Sequence, residues 1–247
     1  MKLSSILFLI FACFITSLSA QTIADANTLK DAYKENDALA KYNAIYAADN
    51  TNYEAVYNIS YMNSRIGYRT LDAAAKKNYY FKAKEFATKA LQLNGTDAES
   101  NFVMAVAMGR MAEIASTKER VAASKDIKKY SDLALKYNPN HAGAWHVLGK
   151  WNYRVANLSF AEESAAKLLG GKLDAASNTR AIECLNNAIR LGKQTMMYHY
   201  DLANVYNKIG KTAEAKEQLT KASNIYNMNP DNALVRRDVD ALKANIK

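Results

Sequence analysis

Two columns of side chains in this sequence could do chemistry together. Tyr57, Phe102, His146 and Tyr200 are all aromatic, and eight residues after each stands a base: Arg65, Arg110, Arg154 and Lys208. Rings set beside cations suit an extended ligand that offers apolar surface together with carboxylate or phosphate groups. Lys150 and Asn204 lie one helical turn beyond His146 and Tyr200 and add polar groups to the same column. Each column also has a plainer explanation. Rings at a repeated position pack helices together, and a cation near a helix C-terminus is favoured by the helix dipole.

Signals for catalysis are thin. The three histidines, His141, His146 and His199, lack the spacing of a metal site, and no metal or other cofactor is expected. The chain contains no glycine-rich phosphate loop, nucleophile elbow or dinucleotide fingerprint. Glu162-Glu163 and Asp238/Asp240 read as solvated helix faces. Cys184 stands between Ala181, Leu185 and Ala188 on an apolar helical face, where it reads as a small buried hydrophobe. An enzyme is therefore not expected, and His146 is the residue on which that alternative rests.

The elements that would position these columns are helices. Only nine Gly and two Pro occur in 247 residues, strand-like alternation is nearly absent, and 49% of the residues are hydrophobic. An internal repeat organises the chain. Ile45, Ala90, Ala134, Ala188 and Ala222 are equivalent anchors, preceded at seven residues by Ala38, Ala83, Ile127, Ala181 and Ala215. Fourteen residues after the first four anchors come Ile59, Met104, Leu148 and Leu202. The next positions, Ser60, Ala105, Gly149 and Ala203, are all small, as a close helix contact requires. The expected pairs are 53–68 with 77–93, 97–115 with 119–137, 141–156 with 178–191, and 195–209 with 212–227. A single helix from Asp25 to Ala47, with Ala38, Tyr42 and Ile45 inward, would open the array. Asn229-Pro230-Asp231 breaks the chain before a polar capping helix over 233–246.

Ala144-Trp145-His146-Val147-Leu148-Gly149, and later Leu202-Ala203 with Tyr206, Ala215, Leu219 and Ala222, resemble tetratricopeptide repeats. That resemblance implies an all-α solenoid of helical hairpins stacked into a right-handed superhelix with a concave groove. It also implies that both columns lie on or beside that groove. A narrower likeness covers residues 140–226, carried by Trp145-His146, Leu148-Gly149-Lys150-Trp151, Tyr153, Val155-Ala156-Asn157-Leu158 and Leu168-Leu169-Gly170. These residues resemble the regulator of microtubule dynamics family, of which this chain looks like an exported, bacterial-type relative. The 54-residue interval between Ala134 and Ala188 leaves room for a short inserted helix near 159–169, stopped by Gly170-Gly171.

Residues 1–20 read as a secretory signal peptide: Lys2, an apolar core over Leu7–Ile15, then Ser17, Ser19 and Ala20 before Gln21. The expectation is cleavage near Ala20 and a periplasmic or extracellular repeat domain over 21–247. Lipoprotein anchoring through Cys13 is disfavoured because Phe14 and Ile15 stay apolar where a polar tether belongs. No later segment is apolar enough to span a bilayer. Removing Lys2 with the leader lowers the net charge from +9 to +8, which suits an acidic partner and does not identify one. The expected function is a non-enzymatic scaffold holding a peptide or protein partner in the groove, with no nucleic acid. The alternatives are a carrier for an amphipathic ligand such as a lipid, and an enzyme. A closed apolar cavity would favour the carrier, an open polar groove the adaptor, and a histidine bonded to a carboxylate in a cleft the enzyme.

Overall fold

A computed structural model of the chain describes residues 22–168, 176–193 and 195–246, and every regular element among them is a helix. The leader and Cys13, as well as Leu169, Gly170 and Gly171 at the expected end of the insert, lie outside the described residues. The chain begins with α1 (22–31), α2 (Glu35–Ala48), α3 (Tyr53–Arg69) and α4 (Ala73–Leu93). It continues with α5 (Ala98–Glu113), α6 (Thr117–Tyr137), α7 (Ala142–Ala156), the inserted α8 (Phe160–Leu168) and α9 (Asn178–Leu191). It closes with α10 (Met196–Lys208), α11 (Thr212–Ser223) and α12 (Asn232–Asn245). Helices α3 and α4, α5 and α6, α7 and α9, and α10 and α11 form the hairpins, and successive hairpins stack. The structure is thus the α-solenoid expected from the repeat.

The helix starts are written in the sequence. Asn52, Asp72, Asp97 and Ser177 accept from backbone N–H groups in the first turns of α3, α4, α5 and α9. Ser116 and Glu119 form a reciprocal capping box at α6. His141 does the same work for α7, its Nδ1 accepting from the Ala144 N–H at 3.0 Å. Pairing within hairpins follows from the small residues. Ala38, Ala83, Ala134, Ala181, Ala188, Ala215 and Ala222 are fully buried, as are Ser60, Ala105 and Ala203 opposite them. Ser60 Oγ even donates across the contact to the Ala83 carbonyl at 2.8 Å, possible only where two backbones approach closely.

Two expectations need correction. The single opening helix is two: Tyr33, at φ +59°, turns the chain between α1 and α2. The break lets α1 fold onto α3, where Asn27 donates to Glu54 and Lys30 to Asn58, while the Tyr42 hydroxyl donates to Asn27. Helix α4 starts at Ala73, four residues early, because Asp72 caps it. Asp231 occupies the N-cap of α12 but turns its carboxylate away from that helix. The inserted α8 packs on α6, and its one buried residue is Ala166.

Cys184 lies fully buried between α7 and α9, and burial pushes its thiol up to about 11. A thiol reagent at neutral pH should therefore label the native protein far more slowly than the denatured one. Equal rates in the two states would place the Ala181-Leu185-Ala188 face outside the core.

Candidate functional site

The solenoid curls until its ends meet. Glu35 at the start of α2, Arg65 and Arg69 in the last turns of α3, and Asp231 before α12 form a buried four-charge clasp. Arg65 reaches Glu35 at 2.5 Å and Asp231 at 3.0 Å, and Arg69 bonds the second oxygen of each carboxylate. Arg65 also donates to Asn229 Oδ1 at 2.9 Å. These contacts tie residues more than 160 positions apart in the chain. Their side chains are only 4–19% exposed. Such guanidinium–carboxylate bonds are directional and strong.

The clasp bounds a concave cavity of about 670 Å³ lined by α3, α5, α6, α7, the start of α8, α10 and α12. Its floor is apolar, with Val106, Val121, Val147, Trp151 and Val155. Trp151 is anchored by its indole Nε1, which donates to both the carbonyl and the hydroxyl of Ser124 at 2.8 Å. Above the floor stand Arg65, Arg110, Arg120, Lys150, Arg154 and Lys193, against Glu113, Glu162 and Asp231. Six bases and three acids line it, and with Glu35 paired to Arg65 and Asp201 to Lys150 the balance is six to five. A smaller adjoining cavity of about 250 Å³ shares Tyr61, Phe102 and Tyr198 with it and is closed by Tyr57, Glu99 and His141.

The two sequence columns are only partly assembled here. Phe102, His146, Lys150, Arg110 and Arg154 line the main cavity, and Tyr57 lines the smaller one. Phe102 is a wall, packed on Tyr61 and His141. Arg154 presents an exposed head, whereas Arg65 and Arg110 do not. Arg65 is committed to the clasp. Arg110 bonds Glu113 at 2.6 Å and lies over the Tyr68 ring at 4.3 Å. The fourth rung is absent from the cavity. Tyr200 packs in the cluster beneath α12, Asn204 donates to its backbone carbonyl, and Lys208 is exposed at the end of α10. Helix α12 covers the face of α10 that the next repeat would have used.

Sequence reasoning missed Glu35, Arg69, Arg120, Asp201 and Asp231 as site residues, and it read Glu162 as a solvated face, whereas that side chain is 15% exposed and lines the cavity. Only Glu162 carried a local signal, the Ser159-x-x-Glu162 capping box. Asp201 has the largest local effect. Its Oδ2 lies 2.6 Å from His146 Nε2 and 3.4 Å from Lys150 Nζ, and the His146 ring stacks at 4.4 Å on Tyr198. Burial pulls the imidazole below its ordinary value of 6.5 against the opposing pull of Asp201. Burial resists ionisation of Asp201, but Lys150 and His146 outweigh it and hold the carboxyl low. A neutral ring donating from Nε2 to an ionised Asp201 satisfies both directions. The pair has the geometry of a proton-transfer site.

A depressed imidazole has a defined pH signature. The folded state resists the proton that the unfolded chain binds near pH 6.5, so stability present above that pH is lost as pH falls below it. The melting temperature should decline through that window and flatten in His146→Gln. An identical pH profile in the variant would mean that His146 titrates normally.

Repeated helical hairpins with small residues at the crossings, an inserted helix and a capping helix around a concave cavity define a tetratricopeptide-like solenoid. The structure resembles a thermophilic tetratricopeptide protein of Thermus thermophilus, with a TM-score of 0.63 and 17% identity over 92% of this chain and 99% of the other. PilF of Pseudomonas aeruginosa overlays at 0.52 and 11% identity, over 93% and 86%. Residues 22–247 match the family described as "Regulator of microtubule dynamics protein 1-3", and the chain belongs to that family. Regulator of microtubule dynamics protein 3 of Bos taurus is 28% identical over 178 residues, 70% of this chain and 37% of that protein. The human protein 1 is 28% identical over 94 residues, 38% of this chain and 30% of that protein. The matches thus span about a third of these relatives' length. Among the described residues no helix is long and apolar enough to cross a membrane.

Proposed function

We propose that this protein is an exported scaffold, freed of residues 1–20, whose concave cavity takes an acidic segment of a peptide or protein partner. The observation that supports it is the set of partly exposed basic heads, Arg120, Lys150 and Arg154, beside an apolar lining. Such a surface attracts anions at long range and buries side chains at short range. At about 670 Å³ the cavity has the size of a ligand site and admits a few residues rather than a whole domain.

An acidic peptide with aromatic or aliphatic residues should bind more tightly than its amidated, neutral counterpart, and less tightly as salt rises. Lys150→Gln with Arg154→Gln should weaken it by about 1–3 kcal/mol, since both heads stand at a partly wet rim. Titration calorimetry decides: equal affinity for charged and neutral peptides would remove the electrostatic reading. The clasp and the apolar floor also favour a second reading, a carrier of an amphipathic small molecule such as a lipid. Native mass spectrometry of the purified protein separates the two, because a carrier retains a small-molecule mass and a peptide scaffold does not.

A further inference from the structure

Helix α8 is extra to the two-helix repeat, and it is held to the body in an unusual way. Phe160 at its start and Leu168 at its end are 85% and 88% exposed, and only Ala166 is buried. What fastens its first turn is Glu162. The Oε1 atom of that residue lies 3.4 Å from Arg120 and 3.9 Å from Arg154, and its Oε2 accepts from the backbone and hydroxyl of Ser159. The Glu162 side chain is 15% exposed and lines the main cavity with both arginines, beside Val121, Trp151 and Val155. The Arg120 guanidinium is not fully used by this arrangement. Its Nη2 reaches the Ala115 carbonyl at 3.5 Å, while its Nε is buried with no hydrogen-bond partner. A buried donor left unpaired is costly.

We propose that Arg120 and Arg154 form the anion-recognition site of the cavity, that Glu162 of α8 is its built-in occupant, and that the ligand is an amphipathic anion whose carboxylate, phosphate or sulfonate displaces Glu162. This rests on the reading that the cavity takes a ligand, and it adds the place where the charge binds and a competitor within the chain. Two guanidinium groups can grip one oxyanion from two sides, which a single carboxylate oxygen at 3.4 and 3.9 Å does loosely. The apolar floor would hold the body of the ligand. Losing Glu162 from the arginines removes the ion pairs that fasten the first turn of α8, so ligand entry and movement of that turn are coupled.

Two dyes of nearly the same shape test the idea: anilinonaphthalene sulfonate, which carries the anion, and N-phenylnaphthylamine, which does not. Both fluoresce on entering an apolar site. The variant Glu162→Gln keeps the capping interaction with Ser159, because glutamine serves that box as well as glutamate. It should tighten the sulfonate by roughly three- to tenfold and leave the neutral dye unchanged. Arg120→Gln with Arg154→Gln should weaken the sulfonate by about tenfold, again with no change for the neutral dye. Equal shifts for the two dyes, or none for either, would overturn the anion site while leaving the cavity intact. Binding of neither dye to the parent or to any variant would overturn the site together with the cavity reading on which it rests.

Discussion

Replacing Asp231 by alanine should lower the stability of the protein by about 3–5 kcal/mol, the cost of breaking a buried ion pair from one side. Asp231 is the carboxylate that both Arg65 and Arg69 share with Glu35. Without it, two buried guanidinium groups are left with a single carboxylate, and the desolvation already suffered by the cations is no longer offset. In a domain of this size the melting temperature should fall by roughly 10 °C. The helix itself should remain, because Val235 and Val239 of α12 pack in a separate apolar cluster with Met196, Ala203, Leu219 and Ala222. What should change is closure. Helix α3 and the segment before α12 meet through this polar clasp, so the variant should have a larger radius of gyration in small-angle scattering. A melting temperature within two or three degrees of the parent, with unchanged dimensions, would show that the clasp does not hold the ends together.

Gly149→Leu should cost about 1–3 kcal/mol through overpacking. A Cβ at this position would stand 2.8 Å from Leu185 Cγ, 3.0 Å from Leu185 Cδ2 and 3.3 Å from Cys184 Cβ. Leu185 and Cys184 are themselves fully buried on α9, so they cannot swing into solvent to make room. Even alanine must push the two helices of this hairpin apart by some tenths of an ångström, and leucine adds three more carbons to the same contact. Thermal melts of the parent, Gly149→Ala and Gly149→Leu should fall in that order. A leucine variant as stable as the parent would mean that α7 and α9 do not meet here.

The hairpin register was legible because it is local. Small residues at a fixed distance from buried anchors report that two consecutive helices touch, and that contact depends on neighbours a few dozen residues apart. Ser60, Ala105, Gly149 and Ala203 therefore marked the helix crossings. The capping box at Ser116 and the caps at Asn52 and Asp97 are local in the same sense, although the sequence reading did not use them. The break at Tyr33 was not legible. No glycine or proline stands there, and a positive φ at tyrosine persists only because α1 finds α3 to pack against.

The fate of the basic column shows where local reading ends. From the sequence, Arg65, Arg110, Arg154 and Lys208 are equivalent rungs on equivalent helices, and their periodicity does place each near the end of a first helix. The tertiary structure gives them four different surroundings. Arg65 is locked in the clasp, Arg110 is held by Glu113 and Tyr68, Arg154 stands at the cavity rim with Glu162, and Lys208 is left outside. Likewise, His146 could be named from the sequence, whereas its partner Asp201, 55 residues on, could not. The sequence by itself determined the helices, their pairing in hairpins and the small residues at their crossings, because those depend on propensity and nearest-neighbour packing. Only the tertiary structure decided which charges meet. Each hairpin turns a little relative to the last, and the accumulated rotation over the whole array brings Asp231 to Arg65 and Arg69 and curls the remaining bases around one cavity.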